Sequence, residues 1–275
     1  MSETEKNVQR YYGVTGIVAA IRTALARDGK TLDDVTVDDL AAVDAFHTRG
    51  RRATAELAAL VDPRPAHVVL DVGCGLGGTA RYLTETYGCS VAGIDITGMY
   101  IETARKLTEL TGMSDRIRFV QGNALELPFD DESFDIVWTE HAQMNIHDKE
   151  RFYGEIARVL KPGRWFLFHD VFAGVGKPVL PVPWADNAAI SALVSSDEAR
   201  RIMQRSGLRV QSMTSKLTES RDDFRQVVER IHQTGLPPLG IHLLMGENAE
   251  IKIANYLRNL QTGRVSVAMG MAEKD

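Results

Sequence analysis

With only two cysteines, Cys74 and Cys89, in 275 residues, the chain has neither a disulfide framework nor a paired-cysteine zinc signature. An unstapled domain in a reduced, cytoplasmic setting is expected. Basic charge is in no surplus: 32 Lys and Arg against 37 Asp and Glu leave a net charge of -5, with the two signs interspersed. Phosphate backbones demand a concentrated basic surface, so the expected partner is a small molecule and no nucleic acid. No run approaches the roughly 18 apolar residues that cross a bilayer, and the opening "MSETEKNVQRYY" has no apolar signal core. Neither membrane insertion nor secretion is expected. Internal repeats and low-complexity tracts are also missing. The length suffices for one large domain with a full core and appendages.

From 66 to 172, short apolar runs alternate with helical patterns. The runs are "HVVLDVG", "SVAGIDI", "IRFVQGN", "FDIVWTE" and "RWFLFHDV", with helices expected near 77–87, 98–111 and 148–160, the last stopped by Pro162 and Gly163. Strands that are apolar almost throughout belong to a parallel sheet covered on both faces. Residues 1–60 differ. "TGIVAAIRTALARDG" and "DDLAAVDAFHTRGRRATAELAAL" read as amphipathic helices around an acidic stretch, a helical lid ahead of the core at 61–172. Residues 173–275 complete the sheet: a Gly- and Pro-rich loop, a helix near 196–206, a strand near "LRVQSMTS", a helical cap near 221–262 broken at "TGLPPLG", and a final strand "GRVSVAMGMA" set antiparallel by a hairpin-like return. The fold class expected is α/β, a Rossmann-like, seven-stranded, mostly parallel sheet with helical lid segments.

The informative stretch is "LDVGCGLGGTARYL", residues 70–83. It satisfies two patterns. Gly73, Gly75 and Gly78 fit the G-x-G-x-x-G of a dinucleotide turn, whereas Asp71, Gly73, Gly75 and Gly77 fit the D-x-G-x-G-x-G of an S-adenosylmethionine (SAM) turn. In either reading, backbone amides and the positive end of a helix dipole face a ligand. Asp71 separates them. A carboxylate at the strand end repels a pyrophosphate, but it organises hydrogen bonds around the α-ammonium of SAM. Asp95 ends the next strand about twenty residues on, where a carboxylate accepts from both ribose hydroxyls of an adenosine.

With Asp71 to Gly77, Asp95, Asn123-Ala124, "LPFDDESFDIVW" and "IARVLKPGRWFLF" in place, the chain resembles the class I SAM-dependent methyltransferases. The family usually has Asp where this chain has Asn123, which still accepts from an adenine amino group through its oxygen. Within the superfamily, "DAFHTRGRRAT", "GLGGTARYL", "DIVWTEHAQMNIHDK" and the tail "HLLMG…YLRNLQTGR" are similar to sarcosine and dimethylglycine N-methyltransferases. The resemblance implies SAM as methyl donor and S-adenosylhomocysteine as product. The cofactor-binding residues it implies are Tyr12, Asp71, Gly73, Cys74, Gly75, Gly77, Asp95, Ile96, Asn123, Ala124 and Glu140. Related sugar O-methyltransferases carry a His pair where this chain has Met144 and Asn145, and an Asp matched by Asp170.

Methyl transfer is an in-line displacement, so holding the acceptor against the methyl carbon supplies much of the rate. An alcohol additionally needs a base. His141, just past the fourth strand, and Asp170, just past the fifth after His169, are the catalytic candidates, because ligands of open α/β sheets bind at those strand ends. His141, His147 and His169 lack the spacing of a metal motif, so no metal is expected. The function expected is methyl transfer from SAM to a small-molecule acceptor, an amine nitrogen first, with O- or C-methylation of a specialised metabolite as the alternative. A non-catalytic SAM-binding module is the reading of another class, and a homodimer is left open as a further partner.

Overall fold

A computed structural model describes residues 1–27 and 29–275. Seven strands form one sheet: β1 (Val68–Val72), β2 (Ser90–Asp95), β3 (Ile117–Gln121), β4 (Phe134–Glu140), β5 (Leu160–Ala173), β6 (Leu208–Ser215) and β7 (Val265–Lys274). Their spatial order is β3-β2-β1-β4-β5-β7-β6. β1 to β5 are parallel, and β7 runs antiparallel between β5 and β6. The sheet is the Rossmann-like, mostly parallel one that the strand rhythm predicts. Its order reverses between β1 and β4, and at such a switch point a crevice opens beyond the strand ends.

Among the described residues ten α-helices surround it: α1 (Glu3–Tyr11), α2 (Ile17–Arg27), α3 (Val37–Asp44), α4 (Arg51–Ala58), α5 (Gly78–Tyr87), α6 (Gly98–Leu110), α7 (Lys149–Val159), α8 (Ser196–Arg205), α9 (Leu217–Thr234) and α10 (Ala249–Gln261). α7 and α8 cover one face through Phe152, Ile156, Ala199 and Met203. α4, α5 and α6 cover the other through Leu57, Leu83 and Ile101. β4 is consequently buried along its whole length. Each large apolar side chain fully removed from water there contributes about 1.5–3 kcal/mol, which is why the central strands need no alternation of polar residues. Beyond the strand ends a further layer gathers Val8 of α1, Phe224 of α9, and Ile253 and Tyr256 of α10, while α2 and α3 pack with Tyr100 and Leu244. Among the described residues no helix is long and apolar enough to cross a membrane.

Three local expectations are corrected. α7 stops at Val159, and Leu160 already pairs with Phe134 as the start of β5. Pro162 and Gly163 therefore lie inside the strand, in a bulge where five residues of β5 span two of β4. β7 does not return by a hairpin: α9 and α10 intervene, and the strand inserts between β5 and β6. The segment 38–60 does not stay helical across "AFHTRG". Arg49 and Gly50 take positive φ values of 66° and 51°, and the break between α3 and α4 drops Phe46, His47 and Thr48 toward the strand ends. Helix α1 itself carries a readable start signal, the reciprocal cap between Ser2 and Glu5.

Candidate active site

A cavity of about 440 Å³ lies over the ends of β1, β2 and β4. Of the residues that the sequence nominated for a cofactor, Tyr12, Asp71, Gly73, Cys74, Gly75, Asp95, Ile96, Asn123, Ala124 and Glu140 line it. Gly77 does not. A Cβ there would stand 2.5 Å from the Phe119 ring, so this glycine serves the packing of α5 on β3. Gly75, at φ 51°, has nothing within 4 Å of a Cβ position and leaves the cavity floor open.

The carboxylates divide the work. Asp71 is 2% exposed, and its Oδ2 finds no hydrogen-bond partner among the described residues. Burial, with the Glu140 and Asp95 charges nearby, pushes its carboxyl well above the usual range. An unpaired buried acceptor of this kind is completed by a cation. Asp95 is oriented by backbone donors: Gly75 N–H reaches Oδ2 at 3.0 Å and Thr97 N–H reaches Oδ1 at 2.8 Å, leaving its remaining lone pairs for a ligand. Asn123 uses Oδ1 to accept from Leu125 N–H at 3.0 Å, which closes its own loop. The Tyr12 hydroxyl donates to Asn145 Oδ1 at 2.8 Å, and Ser2, Glu5 and Val8 of α1 join it as the cavity's cover.

Above β4 and β5 three imidazoles meet, with ring centroids 5.0 to 6.0 Å apart: His47, His141 and His169. The sequence had placed His147 in that company. It bonds the Ala189 carbonyl instead, and His47 takes its place. Glu140 and His169 are register partners across β4 and β5, on the face shared with Trp138 and Leu167. Strand alternation sends Asp170 to the opposite face. There it accepts from Ala142 and Gln143 N–H at 3.3 and 3.2 Å, is pushed up to about 7 by burial, and lines neither cavity. Its work is to shape the turn after His141. His141, at φ 52°, donates its N–H to the His169 carbonyl at 2.8 Å, and its Nε2 meets Thr48 Oγ1 at 3.2 Å. Burial first, and then coupling to the neighbouring His169 and His47 imidazoles, hold its imidazole well below the ordinary range, in the neutral form. Glu140 is the counterweight. Burial alone would raise it, yet His47, His169 and the Thr79 hydroxyl hold it down at about 2.

A smaller chamber of about 20 Å³ adjoins the first and shares Phe46, His47 and His141 with it. Met144, Trp184, Phe224, Ile241, Met245 and Tyr256 wall it, and no Lys, Arg, Asp or Glu is among its described lining residues. Tyr256 meets Phe224 and Trp184 edge-on, with centroids 4.7 and 5.2 Å away. Its hydroxyl has no partner among the described residues. Of these walls the sequence had singled out Met144, at the position where related sugar O-methyltransferases carry a histidine, and Met245, within the Met-rich "LLMG" segment. Trp184, Phe224 and Ile241 were not nominated, and His47 had a faint signal, a Gly50 interrupting a helical pattern.

Residues 70–168 match the methyltransferase domain family. Methyltransferase GfsG of Streptomyces halstedii is 34% identical over 133 residues, 48% of this chain and 48% of that protein. The glycine/sarcosine/dimethylglycine N-methyltransferase of Actinopolyspora halophila is 33% identical over 162 residues, 58% of this chain and 29% of that one. Other matched relatives are named as O- and C-methyltransferases. The chain thus spans about half the length, or less, of the curated relatives it matches first. A solved structure of a putative sarcosine dimethylglycine methyltransferase from Galdieria sulphuraria superposes with a TM-score of 0.68 at 21% identity, covering 82% of this chain and 85% of that one, which speaks to the fold.

Proposed function

From the premise that this chain carries the methyltransferase domain at residues 70–168, in a class I SAM-dependent methyltransferase fold, we propose that it transfers the methyl group of SAM to an oxygen of an apolar small molecule. The observation that carries the reading is the meeting, at His47 and His141, of the wide cavity that ends in an unpaired buried carboxylate with an apolar chamber of about 20 Å³, which takes only the tip of an acceptor held mainly in the wide cavity.

The residues of the wide cavity fit SAM. Asp71 would take the α-ammonium, Asp95 the ribose hydroxyls, and Asn123 with Ala124 the adenine end. When bound, SAM supplies an electrophilic methyl on its sulfonium. The chain's own contribution is placement: Phe46, His47 and His141 bring the acceptor to the boundary between the cavities, and the apolar walls keep water from it. His141 stands there as the group to hold or take the acceptor's proton, and Thr48 fixes the orientation of its ring. Asp170 supports this by ordering the turn that follows. Helices α1 to α3 are proposed to close as a lid over SAM, whereas α4 belongs to the packed face of the sheet.

The amine reading keeps one support, the likeness to sarcosine and dimethylglycine N-methyltransferases. Those names imply an acceptor with a carboxylate, and the chamber offers it no Lys or Arg. The test is release of S-adenosylhomocysteine from SAM with a panel of phenols and apolar alcohols beside sarcosine and dimethylglycine. Turnover confined to the amino acids would overturn the oxygen reading, and tighter calorimetric binding of NAD(H) than of SAM would overturn the whole assignment.

A further inference from the structure

We propose that His47 Nε2, Glu140 Oε1 and His169 Nδ1 form a binding site for one divalent transition-metal ion of the zinc or cobalt(II) kind. The three residues are buried, and one ligand atom from each lies within 4.8 Å of the others. His47 Nε2 stands 3.5 Å and His169 Nδ1 3.8 Å from Glu140 Oε1. Those spacings exceed the roughly 2.7–3.2 Å of a hydrogen bond. They are close to the roughly 3.4 Å between ligands of a tetrahedral ion with bonds of about 2.0–2.1 Å.

The outward side of each group is already tied down. Glu140 Oε2 accepts from Thr54 Oγ1 at 3.0 Å, Thr79 Oγ1 at 2.8 Å and Trp138 Nε1 at 3.0 Å, while Oε1 has only Thr54 at 3.2 Å, whose one proton is shared with Oε2. His47 Nδ1 faces the Thr48 carbonyl at 3.3 Å, and a carbonyl can only accept, so Nδ1 carries a proton; in the neutral ring Nε2 is then the lone-pair atom, 3.5 Å from both Glu140 Oε1 and Thr54 Oγ1. His169 Nε2 meets Thr48 Oγ1 at 3.3 Å, and its Nδ1 is left without a partner at 0% exposure. Three inward-facing acceptors with their backs held by hydroxyl, indole and carbonyl groups are the arrangement that metal-ligating His and carboxylate residues adopt. Two imidazoles and one carboxylate select zinc, cobalt, nickel, iron(II) or manganese over calcium and magnesium.

The remaining coordination position is reachable, because His47 and Glu140 line the wide cavity and His47 also lines the chamber. An acceptor oxygen can occupy it. That use rests on the function proposed above, whereas binding of the ion does not. Sequence gave no hint of the site, since its ligands come from the α3–α4 break and from two neighbouring strands.

The test uses the whole chain, stripped with a chelator and titrated with cobalt(II) in the absence of SAM. One equivalent is expected, with visible d–d absorption of a four- or five-coordinate ion and two hyperfine-shifted imidazole N–H resonances in the proton spectrum. His47→Gln and Glu140→Gln, verified as folded by circular dichroism, should each weaken cobalt binding tenfold or more, while His232→Gln on the exposed side of α9 leaves it unchanged. Uptake below about a tenth of an equivalent, fewer than two shifted imidazole resonances, or equal binding by wild type and Glu140→Gln would overturn the site and leave an ion pair between protonated His47 and Glu140. Loss of methyl transfer to every acceptor with cobalt still bound would count against the function and not against the site.

Discussion

The two cavities lie side by side but are built on opposite principles. The wide one is made of strand ends and the turns that follow them, Asp71 to Gly75, Asp95 to Ile96 and Asn123 to Ala124, each a short contiguous stretch whose geometry is set by its own backbone. The chamber is made of side chains from six distant segments, from Phe46 to Tyr256, held by aromatic packing. A backbone-built site can be shared across many enzymes that use one cofactor. A side-chain-built site changes with each substitution, which is how one sheet comes to serve relatives named for N-, O- and C-methylation.

If the boundary between the two is where chemistry occurs, the largest effect belongs there. His141→Ala is expected to lower kcat by roughly a hundredfold or more while SAM affinity stays close to wild type. Steady-state kinetics with calorimetry checks this, and wild-type turnover at both saturating and limiting acceptor would remove His141 from the mechanism.

Next comes the cofactor side. Asp95→Ala leaves a bound ribose without its charged acceptor, and SAM binding is expected to weaken by about 1–3 kcal/mol, with acceptor KM little changed. Equal losses on both sides would break the division between the cavities. A milder consequence concerns the cover: amides of α1 to α3 should gain hydrogen-exchange protection when S-adenosylhomocysteine is added, more than those of α4, which packs on the face of the sheet. Uniform exchange over 1–60 would dissolve the distinction between lid and core.

The last expected effect is electrostatic and bears on stability alone. Lys149 is buried under the turn that follows His141, donates to the Gln143, Ile146 and Ala192 carbonyls, and is lowered to about 8, burial outweighing the attraction of Asp170. Between about pH 8 and 10.5 the unfolded chain then binds more protons at this residue than the folded one, so its contribution to stability rises with pH across that window. Urea midpoints of wild type and Lys149→Met compared over the window should show the rise in wild type alone. A parallel pair of curves would place the lysine in a solvated environment.

Much of the molecule was legible before folding was considered. The glycine turn, the two carboxylates and the five parallel strands declare themselves because each depends on neighbours within a few residues: a glycine where φ must be positive, an apolar run where both faces are covered, an acid where a strand ends. Even the misread boundaries, Leu160 and the break after α3, are local competitions between helix and extended backbone that long-range packing decided. Asp170 ends the expected strand, and one residue of alternation turns it from the His169 side toward the amides of Ala142 and Gln143.

What the sequence alone determined is therefore the frame and the cofactor end, where backbone conformation and strand order are written in spacing and composition. What only the tertiary structure decided is the acceptor end: that His47 and not His147 joins His141 and His169, that Glu140 has three donors on one oxygen and a single shared one on the other, that Tyr256 and Trp184 face a chamber instead of disappearing into core. The physical reason is that those groups touch across large sequence separations. Their proximity is set by how whole helices dock on the sheet, and no local period or spacing encodes that docking.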